Sequence, residues 1–114
     1  MPPGGDATHQ RRATLPDYLF LMHGDTAPGG DGRDEDWGGY IAKLRASGHF
    51  VGGSAIGDGI CVRKSGPAPQ IGAHLTGFIR VTAGSLEEAR GLLAGNPAFE
   101  AGGTVEIREL PRGG

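Results

Sequence analysis

The run "YLFLM", residues 18–22, followed at once by His23, constrains the fold more than any other part of the chain. It reads as a strand. Tyr18, Phe20 and Met22 then project to one side, and Leu19, Leu21 and His23 to the other. Both sides are largely apolar, so both need covering. With 114 residues the chain makes one domain with a single core. Its own helices can cover one side of a sheet, and little is left for the second. The strand therefore calls for a partner subunit.

The remaining elements follow from periodicity. A Gly/Asp-rich loop after His23 leads to Asp34, Glu35 and Asp36, acidic residues suited to the positive end of a helix dipole. Trp37, Tyr40, Ile41 and Leu44 fall at helical spacing, and Ser47 with Gly48 ends that helix. Two short strands are expected next, "HFVGGSAI" and "GICVRK", joined as a hairpin through Gly57, Asp58 and Gly59. A loop runs to about Ala73, and "HLTGFIRVTA" alternates as a further strand opened by His74. Ser85 and Glu88 form a capping box for a second helix whose apolar stripe is Leu86, Ala89 and Leu93, with Asn96 and Pro97 as its stop. "TVEIREL" is the last strand. The order, with one extra short strand in the middle, predicts an α+β fold: a ferredoxin-like βαββαβ antiparallel sheet with both helices on one face. Such a sheet leaves its second face open, and two copies packed face to face across a two-fold axis would bury it.

Composition narrows the function classes. The formal net charge of -2 disfavours a nucleic-acid binder, which would carry a basic patch. No segment is apolar for long enough to span a membrane. Arg11 and Arg12 precede the apolar run in the manner of a signal peptide, but Pro16 and Asp17 interrupt it, and a cytoplasmic location is expected. The single cysteine, Cys61, excludes an internal disulfide. The 23 glycines and 8 prolines separate periodic segments instead of forming one block, so a folded domain over 17–111 is expected between an N-terminal tail, 1–16, and a C-terminal one, 112–114.

From residues 17 to 111 the chain resembles the YCII-related, or DGPF-domain, proteins. The resemblance rests on the opening "YLFLMHGD", the stretch Gly48, His49, Phe50, Val51, Gly52, Gly53 in place of G-x-L-x-G-G, the segment "LTGFIRVTAGSLEEARGLLAGNP", and the ending "GGTVEIREL". The signature Asp-Gly-Pro-Phe falls at Ser65, Gly66, Pro67 and Ala68, where only the glycine and proline are kept. The resemblance implies a dimeric α+β barrel of two facing ferredoxin-like sheets. It implies a His–Asp pair near a cleft, the feature from which an enzymatic role has been inferred for the family. It also implies a link to sigma-factor regulation, since some members occur beside extracytoplasmic-function sigma factors.

Candidate site residues follow. His23 and Asp25 lie two apart and share a face if extended geometry persists through Gly24. A carboxylate beside an imidazole would make His23 a general acid/base oriented by Asp25. The plain alternative is that His23 ends a strand and Asp25 begins a turn. Ser65, Gly66 and Pro67 form a tight turn or edge a ligand cleft. Arg80 needs an acidic partner or a bound anion if it lies on a covered face, and is otherwise solvated. Trp37 and Tyr40 belong to the core or to a pocket. No metal and no cofactor are expected: His49 and His74 lack ligand spacing, and His49 is better placed at a helix end. Two functions stand side by side, a dimeric small-molecule-binding or regulatory module and an enzyme using the His23–Asp25 pair on a small metabolite.

Overall fold

The computed structural model describes residues 15–26 and 34–111. Both proposed tails, apart from Leu15 and Pro16, and the centre of the Gly/Asp loop lie outside them. Four strands and three helices are present among the described residues: β1 (Asp17–Met22), α1 (Asp34–Ser47), β2 (Phe50–Ala55), β3 (Gly77–Thr82), α2 (Leu86–Gly91), α3 (Pro97–Glu100) and β4 (Val105–Leu110). The strands form one antiparallel sheet in the order β2-β3-β1-β4, so β1 and β3 are central and β2 and β4 are edges. The fold is α+β.

The parity read from "YLFLM" holds. Tyr18, Phe20 and Met22 are buried, with Phe20 wholly so, while Leu19 and Leu21 are half-buried on the opposite face. Ile79 and Val81 of β3 join the buried side, and Tyr40, Leu44, Ala89 and Ala98 from the helices, with Leu93 from the turns after α2, close over it. All helical contributions enter this one core, so the helices cover one face of the sheet and leave the other uncovered.

Local chemistry sets the helix ends. Gly48, at φ +82°, ends α1, with its N–H on Arg45 O and the His49 N–H on Leu44 O, the pairing of a Schellman cap. Ser85 Oγ accepts from Glu88 N at 3.1 Å, as the capping box requires. The Glu88 carboxylate reaches back one residue further than expected, to Gly84 N at 2.6 Å.

Four expectations need correcting. The hairpin and the strand "GICVRK" are absent: residues 56–76 contain no strand. Ile60 and Val62 offer two apolar side chains on one parity, but no described residue receives them, and they stand 83% and 82% exposed. The next strand begins at Gly77, not His74, because residues 71–75 turn on the bonds Ala73 N–Ile71 O and Leu75 N–Gly72 O. The second helix ends at Gly91, and Pro97 does not follow a helix stop but opens α3, capped by Asn96 Oδ1 accepting from Phe99 N at 3.0 Å. Leu86 is exposed, so Ala89 is the buried residue of α2, and Leu93 is buried in the turns that follow the helix.

Candidate functional site

Extended geometry does not persist through Gly24. That residue sits at φ +68°, and a Cβ there would collide with the Thr76 side chain, so the turn belongs to glycine. The turn separates the two residues on either side of it. Asp25 points to the start of β4, where Oδ1 accepts from Thr104 N at 2.7 Å and Oδ2 accepts from Thr104 Oγ1 at 2.7 Å. These two bonds hold its carboxyl below the usual carboxylate range. His23 turns the other way, onto the uncovered face of the sheet. Its Nε2 lies 2.9 Å from Glu106 Oε1, and its ring meets that of His74 edge-on at 4.9 Å. No hydrogen bond joins His23 to Asp25 among those of the described residues.

The carboxylate beside His23 is therefore Glu106. The His23 contact draws the Glu106 carboxyl below its ordinary value, and Arg108, 3.3 Å from the other oxygen, adds to the effect. The parity of β4 carried the signal: Glu106 lies opposite Leu21 in the register, on the same face as His23.

The other predicted residues lie apart. Arg80 is on the same uncovered face, exposed, and pairs with Asp17 Oδ2 at 2.7 Å. Ser65, Gly66 and Pro67 are exposed within the 56–76 segment, and Gly66 takes φ +79° as a turn residue. His49 Nδ1 donates to Thr82 O at 2.7 Å, so its side chain ties the start of β2 to β3 while its backbone N–H caps the end of α1. Among the described residues no group of three or more His, Cys, Asp or Glu is placed to hold a metal ion. No described helix is long and apolar enough to cross a membrane.

A cavity of about 530 Å³ lies on the opposite side of the sheet, under α1. Small residues make it. Gly53 and Ala55 of β2 pair with Ile79 and Gly77 of β3, leaving little side chain on that part of the floor. Gly53 is also required by β3, since a Cβ there would come within 2.6 Å of Phe78 O. Trp37, Ile41 and Arg45 line the cavity from α1, spaced by four residues so that they share one stripe. Tyr40 and Leu44 form the neighbouring stripe and enter the core, where burial pushes the Tyr40 hydroxyl up to about 12 and it donates to Leu92 O at 2.7 Å. Trp37 thus lines the pocket while packing against the edge of the core, and Tyr40 lies within the core. His23 and Asp25 are not among the residues that line the cavity; Gly24, between them, is.

The chain matches no protein-family model and no curated protein.

Proposed function

We propose that the protein is a dimeric small-molecule-binding module with the ferredoxin-like arrangement of a dimeric α+β barrel, as its resemblance to the YCII-related proteins implies. The strand order and the one-sided helix layer support that arrangement. The observation that carries the binding reading is the cavity under α1. Its volume falls within the roughly 300–1,000 Å³ of small-molecule sites, and aromatic and aliphatic side chains dominate its lining. The uncovered sheet face supports the dimer. Leu19, Leu21 and Phe78 form an apolar strip there, flanked by the Arg80–Asp17 and Arg108–Glu106 pairs. A two-fold axis sets each charge of such a pattern near its opposite on the other copy. The exposed Ile60 and Val62 add apolar surface that a second copy would cover.

The binding reading is tested by NMR titration with a panel of small metabolites, following the indole of Trp37, the single tryptophan. A ligand that moves this signal in the native protein and fails to move it in Ala55→Phe, which fills the floor of the cavity, bears the reading out. Binding unaffected by Ala55→Phe contradicts it.

A catalytic reading has one observation in its favour, the 2.9 Å contact of His23 with Glu106. A carboxylate in that position orients an imidazole and fixes its tautomer. His23 would then act as acid/base oriented by Glu106, with Asp25 fixing the turn that presents it. The ring lies on the far side of the sheet from the cavity, which places binding ahead of catalysis. If a bound metabolite is turned over, His23→Asn should abolish turnover and leave affinity in place.

A further inference from the structure

We infer that the molecule taken up under α1 is a small organic carboxylate, with an apolar and preferably aromatic body beneath the helix and its carboxylate on Arg45. This rests on the reading of that cavity as the ligand site. Among the described residues lining it, Arg45 is the one charged side chain and no carboxylate is present. No described acidic group pairs with Arg45. Its guanidinium lies 5.1 Å from the centroid of the Phe50 ring, itself part of the cavity wall.

That arrangement has three chemical consequences. Stacking on Phe50 restricts the guanidinium, so less conformational freedom is lost when it engages a ligand. A guanidinium next to an apolar space offers a planar fork of N–H donors, which matches the two oxygens of a carboxylate. A phosphate dianion would call for more positive charge than one arginine supplies, and no second cation lines the cavity among the described residues. Trp37 and Phe50 give flat walls to a ring, and the volume of about 530 Å³ has room for one or two rings.

The test compares naphthalene-2-carboxylate with naphthalene-2-carboxamide, which share shape and differ in charge. Binding is followed by NMR at the Trp37 indole. The carboxylate should bind at least about tenfold more tightly than the amide, the effect of a charge-assisted contact over a neutral one. Arg45→Met should reduce the carboxylate to the affinity of the amide and leave the amide unchanged, while Arg45→Lys should retain part of the preference. Equal affinity for the two probes in the native protein overturns the carboxylate assignment and leaves the cavity as a ligand site. Arg45→Met weakening both probes alike also overturns it. Failure of both probes to bind at millimolar concentration overturns the assignment together with the site.

Discussion

Phe20 and Leu21 are neighbours in one strand, and the two faces they define are finished to different degrees. Phe20 is fully buried in a core closed by residues from all three helices. Leu21 lies on a face that carries a half-covered apolar strip among ion pairs and has no layer of described residues over it. The chain completes the first face itself. The second has the composition of an interface: apolar at the centre, charged at the rim. The difference is what the proposed dimer rests on: in a strand apolar on both sides, one face is finished by the chain's own helices and the other is left for a second copy.

The sharpest way to probe this contrast is to truncate each side in turn. Phe20→Ala should cost about 3–5 kcal/mol of stability in urea denaturation at any protein concentration. Leu21→Ala should cost less, with a loss that grows as the native protein is concentrated, because it acts through association. Leu21→Lys should leave the monomer folded by circular dichroism and weaken association by about 2 kcal/mol or more, since it sets a charge at the centre of the proposed interface. A comparable loss of monomer stability in Leu21→Lys and Phe20→Ala would erase the distinction.

Gly24 marks the point at which the chain leaves both faces. Gly24→Ala should lower stability by about 1–2 kcal/mol in thermal unfolding, because an L-residue resists φ +68° and its Cβ would meet Thr76. The smallest effect concerns Asp25. Its folded-state carboxyl is held below the ordinary value of 3.8, so its contribution is fully present above that pH and is lost as pH falls through the lowered value. Asp25→Asn should therefore lower stability modestly at neutral pH, flatten the acid limb of the profile below about pH 4, and match the native protein once both are at low pH. If the limb is unaltered, the Thr104 contacts carry no stability.

Much of the fold was legible because burial has a simple period. The alternation in residues 18–22 and the helical spacing of Tyr40 and Leu44 report which side chains meet the core, and Gly48 and Ser85 announce helix ends through their own backbone chemistry. The strand expected at residues 59–64 failed because alternation states a preference for pairing and cannot supply the partner. The site was less legible. His23 and Asp25 look adjacent in sequence, yet a single positive φ at Gly24 directs them to Glu106 and Thr104. The cavity depends on small residues in β2 and β3 meeting a second stripe of α1, Trp37, Ile41 and Arg45. A helix with two adjacent apolar stripes looks the same in sequence whether both are packed or one roofs a space.

The claim that a second copy closes the uncovered face is tested most directly by sedimentation velocity of the native protein across the micromolar range. The account predicts a species of twice the 11.7 kDa chain mass that Leu21→Lys shifts toward the monomer. A native protein that sediments as an 11.7 kDa monomer throughout that range would contradict it.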